Sequence, residues 1–139
     1  MFKHMIDTGN FQLYLSLKIY ENDIQRSSNT TMTITVVSDG FSAKTDMDID
    51  IKEFAAFSAA LLSIYDTLVG SASIKEPYGC QQYISFFAEK NGYITVQGYL
   101  SDAAANNELH FKNAFDQTHL KHFSQELAST YLKYSEIVT

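Results

Sequence analysis

Leu109-His110-Phe111-Lys112-Asn113-Ala114-Phe115-Asp116-Gln117-Thr118-His119-Leu120 changes periodicity part-way along, and that change decides the fold class. Leu109, Phe111 and Phe115 lie two or four residues apart and so share one face of a strand. Glu108, His110 and Lys112 take the other face. Asn113 is the one polar residue on the apolar side. From Asp116 onward the apolar residues Leu120, Phe123, Leu127, Tyr131, Tyr134 and Val138 recur at steps of three and four, the stripe of a helix lying on a core. Asp116 or Thr118 can accept from the free N–H groups of the first turn and serve as N-cap. A strand that runs into a helix with no linker belongs to a packed α+β domain, and it carries no chemistry of its own.

The rest of the chain repeats the same grammar. Phe11 to Ile19 alternates cleanly, with Gln12, Tyr14, Ser16 and Lys18 outward. Thr30 to Val37 places Met32, Ile34 and Val36 inward and its threonines outward, and Ser38-Asp39-Gly40 turns the chain. Phe41 to Ile49 then sets Phe41, Ala43, Met47 and Ile49 against Lys44, Asp46 and Asp48. A helix starts at Asp50, where Glu53 completes a capping-box pattern, and its stripe is Phe54, Phe57, Leu61, Ile64, Tyr65 and Leu68. Gly70 is read as its end. A short strand follows near Ala72 to Lys75, and Pro77 with Gly79 marks a loop.

The register of the next hairpin follows from keeping its faces consistent. A two-residue Asn91-Gly92 turn would mix apolar and polar faces, whereas a three-residue loop Lys90-Asn91-Gly92 pairs Glu89 with Tyr93, Ala88 with Ile94 and Phe86 with Val96. Tyr83, Ser85, Phe87, Glu89, Tyr93, Thr95, Gln97 and Tyr99 then share the opposite face, and Ser101 to Asn107 is a loop. The predicted order is β-β-β-α-β-β-β-β-α: an α+β fold with an antiparallel sheet of about six to seven strands and both helices on one face. Ile34, Phe54, Leu61, Phe86, Val96, Phe111, Phe123 and Leu127 are expected to share its core.

A single domain over 1–139 is expected, because a chain of this length hides roughly 68% of its unfolded surface without disulfide or metal. Cys80 is the only cysteine, which suits a reducing compartment. Met1 to Asp7 shows no apolar leader run and no stretch has the length of a membrane span, so a cytoplasmic location is expected, with no membrane partner. Sixteen acidic against ten basic side chains give a net charge of −6. That charge disfavours nucleic acid and suits a basic protein partner.

The candidate chemistries are thin. Asp46-Met47-Asp48-Ile49-Asp50 alternates carboxylates, but a calcium loop needs glycine where Ile51 stands and glutamate where Phe57 stands. Strand face plus N-cap explains the aspartates. His119 and His122, with His110 or His4, have the spacing of metal ligands only weakly, and solvent-facing helix positions explain them as well. Nothing beside Cys80 lowers a thiol pKa, so it reads as structural. Hydrolase, phosphate-loop and dinucleotide signatures are missing, and neither enzyme activity nor a cofactor is expected. What remains is a surface: the carboxylates of Asp39, Asp46 and Asp48, and the outward aromatics Tyr83, Phe87, Tyr93 and Tyr99, with Tyr14 in the same class.

Val36-Val37-Ser38-Asp39-Gly40-Phe41-Ser42-Ala43, Gly92-Tyr93-Ile94-Thr95-Val96-Gln97-Gly98-Tyr99-Leu100, and the strand from Leu109 running into Asp116-Gln117-Thr118 together resemble the WapI-type family of small bacterial immunity proteins. The likeness runs from about Phe11 to Tyr134, and its most specific piece is the strand followed by Asp-Gln-Thr and a helix. The resemblance implies a non-catalytic cytoplasmic protein that binds and neutralises a cognate polymorphic toxin. It carries over no binding residue, since these motifs are framework turns and core strands. The competing classes are a small-molecule or regulatory binding module using a pocket between helices and sheet, and a protein that self-associates, as a homodimer, through an open sheet face.

Overall fold

The structure, a computed structural model, describes residues 2–77 and 81–136. Cys80, Gly79 and Val138, each given a role above, lie outside the described residues. The described residues form eight strands and two α-helices in the order β-β-β-β-α-β-β-β-β-α. The strands build two four-stranded antiparallel sheets rather than one sheet of six or seven. The first holds β1 (Phe2–Asp7), β2 (Phe11–Ile19), β3 (Thr30–Ser38) and β4 (Phe41–Ile49), in sequence order. Helix α1 (Ile51–Thr67) follows. The second sheet holds β5 (Ser71–Lys75), β6 (Tyr83–Ala88), β7 (Tyr93–Ser101) and β8 (Glu108–Asp116), and α2 (Lys121–Tyr131) follows, continued by a 3-10 helix over Leu132–Glu136.

The additional strand is β1, which pairs from Phe2↔Leu17 to Asp7↔Gln12. Its inward positions are Phe2, His4 and Ile6, and the histidine breaks the apolar alternation that would have revealed it. The β6–β7 hairpin has the predicted register, with Ala88 opposite Ile94 and Phe86 opposite Val96. Its loop places both Asn91 (φ 65°) and Gly92 (φ 78°) in the left-handed region. At Asp116 the chain first makes a 3-10 turn over Gln117–Leu120, capped by the Asp116 carboxylate on the Thr118 N–H at 2.9 Å, and only then enters α2.

Asp50 caps α1 as expected, but its carboxylate takes the Lys52 N–H (3.0 Å). The helix ends at Thr67, with Leu68 in the left-handed cap (φ 60°) and its N–H on the Ile64 carbonyl. Gly70 therefore does not end the helix; it shapes the turn into β5 with a φ of 98°.

The helices do not cover one face of a sheet from outside. Sheet one meets sheet two along β4, β7 and β8, and the two helices pack on each other in the wedge that remains. Each helix reaches across: α1 lies against β5 and β6 of the second sheet, and α2 against β1 of the first. All eight residues expected in the core are buried in a single cluster shared by both sheets and both helices. Aromatic rings fill the wedge, with Phe54 edge-on to Tyr131 at 4.9 Å and Phe57 beside Phe86 at 6.0 Å. Phe41 departs from the pattern. It stands at the turn end of β4, in an open gap beside Leu109, and is 71% exposed.

Candidate partner-binding surface

Each helix packs one face on the shared core and keeps the other in solvent, and each sheet turns its second face outward. On the first sheet, cross-strand neighbours form the rows Met5–Tyr14–Thr35–Lys44, Lys3–Ser16–Thr33–Asp46 and Lys18–Thr31–Asp48. Asp46 accepts from the Thr33 hydroxyl at 2.7 Å and Asp48 from Thr31 at 3.2 Å. The aspartates are exposed, but Lys3, Lys18 and Lys44 share their face, so it is charge-mixed rather than uniformly acidic. Asp39 sits in the β3–β4 turn at the far end of the strand, seven residues before Asp46, or roughly 20 Å at strand rise. Its carboxylate accepts from Asn113 Nδ2 (3.2 Å), which also donates to Ser38 Oγ (3.1 Å). The polar residue noticed on the apolar side of β8 is thus a tie between the sheets.

On the second sheet, Tyr83 and Tyr99 are direct cross-strand neighbours, and Tyr99 pairs onward with His110. The Tyr99 and His110 rings lie 4.6 Å apart, and the Tyr99 hydroxyl donates to Glu108 at 2.6 Å. Phe87 and Tyr93 occupy the same face nearer the β6–β7 loop, with Phe87 opposite Thr95 and Tyr93 opposite Asp116. Tyr93 is the most exposed of the four at 52%; the others are half-buried. The structure therefore gathers the four aromatics on one face and leaves Tyr14 on the other sheet. The three aspartates are not one cluster.

Three polar centres have roles that the sequence pattern does not reveal: Gln82, Asn29, and His4, which the histidine spacing marks only weakly as a third metal ligand. Gln82, immediately before β6, is buried and stitches the sheets: its Oε1 accepts from the Thr45 hydroxyl and from Ser101 N–H (3.2 Å), and its Nε2 donates to the Asp46 carbonyl (2.9 Å). Asn29, fully buried, donates to the Ile24 and Arg26 carbonyls (both 2.9 Å) and accepts from Ile51 N–H (2.8 Å), anchoring the β2–β3 loop to the start of α1. His4 is buried on β1, its Nδ1 bonded to the Glu126 carboxylate and its Nε2 meeting the Tyr131 hydroxyl at 2.6 Å. Glu126 also holds His122 Nε2 at 3.0 Å. Burial, then the charges of Tyr134 and Glu126, raises the Tyr131 phenol above its ordinary value, so it stays protonated. Both ring nitrogens of His4 are engaged and Tyr131 is fully buried, so this trio fastens α2 to β1; Glu126 alone of the three is half-exposed, and with His4 and His122 it borders a cleft of about 590 Å³ beside the first sheet. His119 stands edge-on to Phe115 at 6.2 Å.

Several clefts are large enough for a ligand; the one of about 590 Å³ lies between the first sheet and His122 and Glu126 of α2, and one of about 610 Å³ between the start of α1 and β5 and β6. A third, of about 670 Å³, lies where β4 passes the chain segments flanking β6 and β7. It is lined by Asp46, Asp48, Glu76, Gln82, Ser101 and Asp102, with Lys44 at its rim. The Asn107 side-chain amide, aided by the N–H groups of Asn106, Asn107 and Ala105, holds the Asp102 carboxyl below the ordinary range. No helix among the described residues is long and apolar enough to cross a membrane.

Among solved structures, the fold is similar to WHY3 from Arabidopsis thaliana (TM-score 0.52, 8% identity, 97% of this chain and 90% of that one). It is also similar to the plant transcriptional regulator PBF-2 (TM-score 0.53, 7% identity, 95% and 82%). At such identities the likeness concerns architecture alone. No curated protein matches the sequence. The description that matches residues 4–135, nearly the whole chain and all ten elements in whole or part, is the Immunity protein WapI-like family, and the chain belongs to that family.

Proposed function

We propose that this protein is a bacterial immunity protein that binds a cognate toxin in the cytoplasm and neutralises it without catalysis. The observation that carries the reading is family membership across residues 4–135. Two features of the surface support it: a net charge of −6, and two sheet faces left uncovered by the helices. The partner is a basic toxin domain. Asp46 and Asp48 attract it, Asp39 contributes at the far turn, and Tyr83, Phe87, Tyr93 and Tyr99 supply anchors that slow release.

The test is co-expression with the toxin encoded beside the gene, followed by binding kinetics at two ionic strengths. Cells expressing both proteins should survive, association should slow as salt rises, and Tyr93→Ala or Tyr99→Ala should mainly hasten dissociation. Absence of rescue together with absence of a complex defeats the immunity reading. Rescue with salt-insensitive association keeps the function and discards the electrostatic mechanism.

A further inference from the structure

We propose that the cleft between β4 and the ends of β6 and β7 is an anchor pocket for an arginine side chain of a protein partner. This rests on reading the chain as a toxin-binding protein and specifies what that partner presents. Four carboxylates, those of Asp46, Asp48, Glu76 and Asp102, line the cleft against the single ammonium of Lys44. Among the described residues Asp46, Asp48 and Glu76 take part in no ion pair.

The second observation lies at the floor. Ser101 is 3% exposed, lines the cleft, and its Oγ has no hydrogen-bond partner among the described residues. A buried hydroxyl left unpaired weakens the fold until a donor reaches it. One rotation about a single side-chain bond brings a serine hydroxyl to a new staggered position, so little must move to meet that donor. Gln82 cannot supply the bond from its Oε1, which already accepts from the Thr45 hydroxyl and the Ser101 N–H.

The spread of acceptors selects the ligand. Among the described residues no three carboxylates, histidines or cysteines come close enough to hold one metal ion, so the negative charge is distributed along the cleft rather than focused. A planar guanidinium with five N–H donors can serve the Ser101 oxygen and carboxylates on both walls at once. A compact ammonium with three donors serves fewer. The cleft volume of about 670 Å³ accommodates such a side chain with its flanking residues.

The test is an amide NMR titration of the whole protein with capped tri-arginine and, separately, capped tri-lysine peptide. The expected result is saturable shifts centred on Ser101, Thr45 and the Gln82 side-chain amide, with tri-arginine binding at least severalfold tighter. Ser101→Ala should erase most of that preference, and Asp48→Asn with Glu76→Gln should weaken both peptides roughly tenfold. The variants' amide dispersion reports that they remain folded. Non-saturating shifts scattered over all acidic residues overturn the pocket, as do variants that bind like wild type or calcium reproducing the same shifts. In the co-expression assay, rescue unaffected by Asp48→Asn with Glu76→Gln removes the pocket while leaving the immunity function. A saturable arginine site without rescue keeps the pocket and removes the toxin.

Discussion

Gly98→Ala should destabilise the protein although a strand ordinarily prefers alanine. In an open strand the substitution would gain roughly 0.5–1 kcal/mol, because glycine loses more backbone freedom on folding. Here Gly98 is paired between Ile84 and Phe111. A Cβ at this position would lie 2.5 Å from the Tyr83 carbonyl oxygen, 2.6 Å from Phe111 Cζ and 2.8 Å from Phe111 Cε1. Ordinary contact begins near 3.4 Å, so the neighbours must retreat by most of an ångström. The carbonyl belongs to Tyr83, the first paired residue of the β6–β7 ladder, and the Phe111 ring is stacked on Phe11 at 6.1 Å, so neither retreats freely. Overpacking of this kind costs about 1–3 kcal/mol, enough to reverse the propensity gain. The assay is urea unfolding followed by circular dichroism, where the midpoint should fall by roughly 0.5–1.5 M with little change in slope. Adding Phe111→Leu should recover only part of the loss, since the carbonyl clash remains, and the two substitutions should be non-additive. A midpoint equal to or above wild type for Gly98→Ala would refute the reasoning.

Leu61→Ala and Phe123→Ala, each emptying a buried position in the shared core, should cost about 2–5 kcal/mol, checked by the same unfolding curves. Asn29→Ala should cost about 1–3 kcal/mol for each backbone group it strands, and amide exchange at Ile51 should quicken selectively. Tyr131 and Tyr134 both have raised phenol pKa values, in each case chiefly from burial, with Glu21 adding to the effect at Tyr134. A raised folded-state pKa leaves stability intact below the unfolded value of about 10, and stability falls as pH climbs from there toward the folded value. Phenolate absorbance in an alkaline titration should therefore show two late tyrosines that ionise together with unfolding. His4→Phe should destabilise α2 docking even though it is apolar, because Glu126 and Tyr131 lose their buried partner.

In-or-out assignments were legible wherever alternation was complete, as in β2, β3 and the β6–β7 hairpin. β1 was not, because its inward His4 is satisfied by Glu126 and Tyr131 in the last helix, and no local pattern announces partners that remote in sequence. Periodicity also tells which face a residue takes without telling which sheet it joins, so two sheets were read as one. The left-handed Leu68 adopts a conformation its side chain disfavours, whereas the glycine two residues later carries the usual signal of a helix end. Of the surface residues, the aromatic set was readable as a face. Gln82 and Ser101 were not, since their roles depend on the crossing of β4 with the ends of β6 and β7.

The exchange of helices between the two halves bears on how the molecule is made. Among the described residues every strand pairing is between chain neighbours, so each meander can form early and locally. Yet β1 takes its covering helix from far along the chain: it is α2 that packs on it, with Glu126 and Tyr131 taking His4. The first sheet by itself leaves one side of β1 unprotected, and the core closes only when α2 docks on it. Chains cut between Thr67 and Ser71 should consequently associate when both pieces are present, each supplying the helix that the other's sheet lacks.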